Sequence, residues 1–140
     1  MDAFDLVEIK KSSIHGLGVF AKVIIYAGTV WWQVKHNNTL IMNRSQYECF
    51  DASIGQSNGL LIFRDTFNTY SFYSKQLDSL VFILDKTRNV NHSRTPNSVL
   101  HQNKSIALRD IYPGEEITED YYKYDQCEWA PIMDCMLGVE

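Results

Sequence analysis

Arg88-Asn89-Val90-Asn91-His92-Ser93-Arg94-Thr95-Pro96-Asn97 is the stretch on which the reading of this chain turns. Asn91, Ser93 and Asn97 carry short polar side chains that bond to nearby backbone, and Pro96 fixes its own φ, so the segment reads as a constrained functional loop. A plain polar turn ahead of a strand would use the same residue types. What separates the two readings stands elsewhere in the chain. Upstream lies His15-Gly16-Leu17-Gly18-Val19-Phe20-Ala21, and downstream lies Pro113-Gly114-Glu115-Glu116-Ile117-Thr118-Glu119-Asp120-Tyr121.

Gly-x-Gly, then Asn-His-Ser followed by Pro-Asn, then Gly-Glu-Glu-Ile closing on Asp-Tyr: in this order the motifs resemble the SET domain, the family of S-adenosylmethionine-dependent protein-lysine methyltransferases. A lone Gly-x-Gly would carry little weight, whereas three motifs in register carry much. The resemblance runs from about Glu8 to Asp125 and fits small stand-alone members of bacterial or viral type. It implies a mainly β fold, the β-clip of several short sheets with a pseudoknot and one or two short helices. In that pseudoknot the loop from Arg88 to Asn97 threads beneath the chain after Asp120-Tyr121.

The resemblance also implies roles. His15, Gly16, Leu17 and Gly18 would grip the methionine part of S-adenosyl-L-methionine through main-chain groups. Asn91 would reach its amino-acid end, and the His92 main chain its adenine edge. Tyr121 would be the catalytic residue, its hydroxyl orienting the lysine amine. Glu119, Tyr124, Tyr73 and Trp129 are assigned to the substrate channel, with Tyr124 and Trp129 closing it by packing. Larger members carry a cysteine-rich zinc module after the last motif; here only Cys127 and Cys135 follow, so no metal is expected.

Three positions depart from the family pattern. Glu119 stands where relatives often place Phe or Tyr and where the number of methyl groups added is tuned. Asn89 replaces a large apolar residue, and Arg94 the cysteine of zinc-bearing members.

The residue types suit the chemistry. Free lysine has a pKa near about 10.4, so a neutral nucleophile is scarce at neutral pH. Burial in an aromatic channel and a neighbouring positive sulfur both favour the uncharged amine. Alignment of amine, methyl and sulfur lowers the barrier further. Such a site needs aromatics and oriented oxygens more than a strong base.

Length and composition set the outer bounds. The chain has 140 residues, enough for a single domain that buries a real core, with residues 122–140 as a short acidic tail. No apolar run approaches a membrane span, and the start lacks the regions of a signal peptide, so an intracellular, soluble protein is expected. Cys49, Cys127 and Cys135 show no paired spacing and are expected to be reduced. His15, His36, His92 and His101 show no metal-ligand spacing. From Glu115 onward there are eight acids against Lys123 alone, which opposes direct nucleic-acid binding and suits a basic, lysine-containing partner such as a histone tail. The alternative to an enzyme is a catalytically weak module of the same fold that binds basic protein tails.

Pattern and turn signals predict strands at 6–11, 17–23, 30–34, 60–63, 69–73 and 80–84, a hairpin of 98–101 with 106–109, and a last strand over 116–121. One short helix is expected from an Asn43 cap to about Ser53. Trp31 and Trp32 are adjacent on a strand, so one is expected in the core and the other to cover something or stay exposed.

Overall fold

The computed structural model describes residues 3–56 and 58–132. Its elements in chain order are α1 (Ala3–Leu6), β1 (Val7–Lys11), β2 (Leu17–Ala21), β3 (Val30–Gln33), β4 (Thr39–Asn43), α2 (Arg44–Ser53), α3 (Asn58–Thr69), β5 (Ser71–Ser74), β6 (Ser79–Ile83), β7 (Asn91–His92), β8 (Ser98–His101), β9 (Lys104–Ala107) and β10 (Glu116–Glu119). Short 3-10 turns span Ile54–Gln56, Lys86–Asn89 and Tyr121–Lys123. The strands form three small sheets, in the orders β1-β2-β10-β7, β3-β9-β8 and β4-β6-β5. The fold is thus mainly β with several short sheets, and two helices of 10 and 12 residues accompany them. Among the described residues, no helix is long and apolar enough to cross a membrane.

The chain divides into two compact units, one of residues 1–38 and 85–123, the other of residues 39–84 and 124–140. All three quoted motifs fall in the first. There β1 and β2 form an antiparallel hairpin, and β2 passes its other edge to β10 through Phe20 and Val19. On the far side of β10 the two-residue β7 runs parallel, Thr118 opposite Asn91 and Glu119 opposite His92. Val7, Val19, Ala21 and Ile117 are fully buried beneath this sheet.

Asn97 extends the arrangement without being a strand residue. Its amide nitrogen donates to the Glu116 carbonyl at 2.8 Å and its oxygen accepts the Thr118 N–H at 2.9 Å. One side chain therefore pairs with β10 as a neighbouring strand would. The β8–β9 hairpin closes on Gln102 and Asn103, both at positive φ. A two-residue turn with both φ positive matches the twist of the flanking strands.

Several expectations are corrected. Residues 60–63 are not a strand: they open α3, because the run continues as Leu60, Phe63, Phe67 at helical spacing, and Phe63 and Phe67 then meet Phe50 of α2 with ring centroids 5.5 and 6.2 Å away. A four-residue apolar run cannot by itself distinguish the two. The strand expected over 69–73 begins at Ser71, since Thr69 still belongs to α3, its hydroxyl bonded to the Asp65 carbonyl. The last strand ends at Glu119, so Tyr121 opens a 3-10 turn and does not close a strand.

Neither tryptophan is left at the surface. Trp31 is 1% and Trp32 5% exposed, because the β3–β9 register shifts between Val30 and Trp32. A bulge breaks strict alternation of faces. Each indole N–H is also bonded, Trp31 Nε1 to Ser98 Oγ at 2.8 Å and Trp32 Nε1 to Asp85 Oδ2 at 3.1 Å.

The second unit is built on an aromatic core of Tyr47, Phe67, Leu80, Phe82, Ala130 and Ile132. Helix α2 starts where the sequence places it: Asn43 accepts the Gln46 N–H at 2.8 Å while the Gln46 side chain accepts the Asn43 N–H at 2.9 Å. This reciprocal pair satisfies two of the N–H groups a helix start leaves open.

The buried Ser98 hydroxyl is a junction between Trp31 of β3 and Glu119 of β10. It accepts from Trp31 and donates to Glu119 Oε2 at 2.7 Å. Ser98→Ala should lower unfolding free energy in a urea titration by about 1–3 kcal/mol, since the indole N–H then stays buried without an acceptor. A loss under about 0.5 kcal/mol, the range of an ordinary surface change, would contradict this packing.

Candidate functional site

The first motif folds as a turn organised by Ser12. The Ser12 N–H donates to the Gly16 carbonyl at 2.8 Å, while Ser12 Oγ accepts from Ile14 N at 2.9 Å and His15 N at 3.3 Å. A serine hydroxyl two and three residues before backbone N–H groups is a local turn device. Gly16 sits at φ +47°, with nothing within 4 Å of where a Cβ would be. It is there for its backbone conformation, beside open space.

Gly18 is different. A Cβ there would stand 2.8 Å from Glu116 Cδ and 3.1 Å from Ser12 Cβ. Its bare Cα makes room for a carboxylate of the protein itself. Gly16 thus borders open space, whereas the room at Gly18 is filled by Glu116.

Into this turn reaches Asn91. Its Nδ2 donates to the His15 carbonyl at 3.0 Å, the Leu17 carbonyl at 3.1 Å and Glu116 Oε2 at 2.8 Å. Three acceptors around one nitrogen fix the amide with nitrogen inward, which settles an orientation that geometry often leaves ambiguous. Asn91 is 7% exposed, and among the described residues its Oδ1 receives no hydrogen bond.

The next residue turns toward Tyr121. His92 Nδ1 accepts the Tyr121 N–H at 3.0 Å, so Nδ1 carries a lone pair and the ring proton belongs on Nε2. The 3.7 Å approach of Asp120 to the same nitrogen is therefore not an ion pair in this state. The imidazole and the Tyr121 ring lie 5.1 Å apart, and Tyr122 meets the imidazole edge-on at 5.2 Å. Arg94 covers the outer face of Tyr122 at 4.6 Å from the ring centre. The Tyr121 hydroxyl donates to the Val90 carbonyl, one residue before Asn91. The Gly-x-Gly turn, Asn91, His92 and Tyr121 thus form one connected place within the first unit.

Glu119, placed by sequence in the substrate channel, is 2% exposed and bonded to Ser98 in the interior of the first unit. The other three channel candidates belong to the second unit. Tyr73 and Trp129 meet edge-on at 5.9 Å, Trp129 also packs on Tyr47 at 5.9 Å, and Tyr124 meets Phe72 at 6.3 Å. The Tyr73 hydroxyl donates to Asp78 Oδ1 at 2.5 Å, and this bond to a carboxylate pushes the phenol up to about 12. Burial pushes the Cys127 thiol up. Its companion in the sequence argument about zinc, Cys135, lies outside the described residues, as do all of residues 133–140 of the acidic tail.

Ser12, Glu116, Asn97 and the Val90 carbonyl are the participants that sequence reasoning passed over. Glu116 stood inside a quoted motif, and Ser12 was visible as a turn former directly before the glycines. Val90 acts through its main chain, for which its side chain gives no signal.

A family model described as the SET domain matches residues 16–122. A comparison with curated proteins finds no match. Among solved structures, the chain is similar to a Plasmodium falciparum protein named as a candidate histone methyltransferase, at 20% identity and a TM-score of 0.55, covering 89% of this chain and 96% of that one. It is also similar to the Neurospora SET domain protein DIM-5, a histone lysine methyltransferase, at 22% identity and a TM-score of 0.53. That match covers 89% of this chain but only 54% of the Neurospora chain.

The Tyr73–Asp78 bond gives a pH dependence whose sign is fixed. A folded-state value raised above the ordinary phenol contributes stability that is complete below about pH 10 and lost as pH rises through about 12. An ultraviolet titration should show Tyr73 ionising late, beside Tyr47, whose phenol burial also pushes up, and Asp78→Asn should return Tyr73 alone to the ordinary range. An unchanged titration in that variant would contradict the assignment.

Proposed function

Because this chain belongs to the SET domain family, we propose that it is an S-adenosylmethionine-dependent protein-lysine N-methyltransferase acting on a histone or another lysine-rich protein. The observation that carries this reading is the convergence just described: one asparagine ties the Gly-x-Gly turn to β7, and the carbonyl preceding it receives the Tyr121 hydroxyl.

The residues fit the cofactor. Asn91 is a buried amide whose protons are all committed inward and whose oxygen, among the described residues, receives no hydrogen bond, which suits the ammonium end of an amino acid. Gly16 leaves open space at the turn. His15, Gly16, Leu17, Asn91 and His92 would hold the group. When bound, it supplies an electrophilic methyl on a positive sulfur.

The chain's own residues do the rest. The single phenol proton of Tyr121 is committed to Val90, so toward a substrate its oxygen is an acceptor. An acceptor there takes an N–H from a neutral lysine amine and leaves the nitrogen lone pair to point along the line of transfer, which is an orientation effect. The bond from Tyr121 N to His92 and the ring contacts of His92 hold that oxygen in place. Phenol titrates near about 10, so Tyr121 orients and does not serve as a resident base. The neutral amine itself is favoured by burial and by the adjacent positive charge.

Tyr121→Phe keeps the ring and removes the oriented oxygen. It should lower kcat on histones or host lysate, read by mass spectrometry of methylated lysines, by about a hundredfold or more, while cofactor affinity in a calorimetric titration changes little. Failure of the wild type to take up S-adenosylmethionine at high concentration would overturn the reading. Cofactor uptake without turnover on any protein mixture would favour a binding module of the same fold.

A further inference from the structure

Among the described residues, Glu116 is the one acidic side chain that touches the Gly-x-Gly turn, the Asn91 amide and Ser12 together. Its Oε1 and Oε2 accept from Ser12 Oγ at 2.7 and 2.9 Å, and its Oε2 accepts from Asn91 Nδ2 at 2.8 Å. It lies where a Cβ at Gly18 would have to be. Its own main chain is fixed from two sides, by the pairing of β10 with Phe20 of β2 and by the Asn97 amide on its carbonyl.

These contacts settle two things about the neighbouring groups. The Ser12 hydroxyl has one proton, and Glu116 takes it, so Ser12 Oγ faces Ile14 N and His15 N only as an acceptor. Asn91 can present either nitrogen or oxygen inward, and a carboxylate beside two carbonyls makes the nitrogen-inward state strongly preferred, since bonds to an ionised acceptor are the stronger kind. The amide oxygen is then turned the other way.

We propose that Glu116 is a positioning residue for the cofactor site: seated in the room that Gly18 leaves, it locks the Asn91 amide nitrogen-inward and braces the His15–Gly18 turn through Ser12, so that the Asn91 oxygen is presented to the cofactor's ammonium group. This rests on the methyltransferase reading above and adds a residue and a job to it. Gly18 is glycine, on this account, to admit the carboxylate. Glu116 acts through Asn91 and Ser12 and is not itself a catalytic residue.

The test is a calorimetric titration of wild type, Glu116→Gln, Glu116→Met, Glu116→Ala and the double variant Glu116→Ala with Gly18→Ala, using S-adenosylhomocysteine as the probe, with cofactor KM, kcat and melting temperature measured alongside. Glutamine keeps the volume and one acceptor, and methionine keeps the volume and none. Affinity should fall in that order, by about tenfold and then by up to about a hundredfold, the range one or two charge-assisted bonds provide. Cofactor KM should rise accordingly, with kcat at saturating cofactor largely kept. In the double variant the new methyl fills the vacated room, so the melting temperature should recover relative to Glu116→Ala while affinity does not. A residue that only packs would give the opposite: methionine would bind as wild type does, and the double variant would regain affinity with stability. Either result against a wild type that binds overturns this inference alone, whereas a wild type that does not bind overturns the methyltransferase reading and this inference with it.

Discussion

The first unit depends on one amide. Asn91 Nδ2 meets the His15 and Leu17 carbonyls and the Glu116 carboxylate, and so joins to β7 two pieces of chain that lie 74 to 76 and 25 residues away in sequence. No regular strand pairing links the His15–Leu17 turn to β7, because that turn runs into β2 and β10 stands between β2 and β7 in the sheet. A buried side-chain bond does it instead. Such bonds are worth about 1 kcal/mol each when neutral and more when one partner is ionised, but their directionality matters more here than their sum. They decide which atom of Asn91 faces outward.

Around this amide the structure places polar groups in hydrogen-bonded chains. Ser12 donates a hydrogen bond to Glu116 and accepts from two backbone N–H groups. Ser98 accepts from Trp31 and donates to Glu119. Asn97 uses both ends of its amide on β10. Tyr121 is held at its nitrogen by His92 and gives its hydroxyl proton to Val90. Buried networks of this kind specify one arrangement when every member is satisfied and are costly when one is removed. The burial of Glu119 through Ser98 makes it part of such a chain, and sequence alone had made it a channel residue only by its position in a motif.

Much of this was legible in the sequence, for identifiable reasons. The Gly-x-Gly turn, the Asn-His-Ser segment and the Glu-Glu-Ile-Thr run are local patterns whose residue types have few structural uses, and their order suffices for the family. The Asn43 cap and the existence of the β8–β9 hairpin were legible because caps and tight turns are chosen by one or two residues, although the second strand runs over Lys104–Ala107 and not over 106–109. What was not legible is what depends on distant partners. Leu60 to Phe63 could have been strand or helix until Phe67 and Phe50 were seen to share a face with Phe63. Both tryptophans are buried because of a bulge that no periodicity encodes. Gly18 looked like its neighbour Gly16, and only the position of the Glu116 carboxylate separates their roles.

The claim beneath the whole account is that the turn of the first motif, the Asn91–His92 strand and the Tyr121 segment form a single ligand site. Hydrogen exchange of backbone amides, followed with and without S-adenosylhomocysteine, tests this most directly. The account predicts that added ligand slows exchange together in the segments around residues 14–18, 90–93 and 119–122, with little change across α2 and α3. Slowing confined to one of these segments, or centred on residues remote from all three, would contradict it.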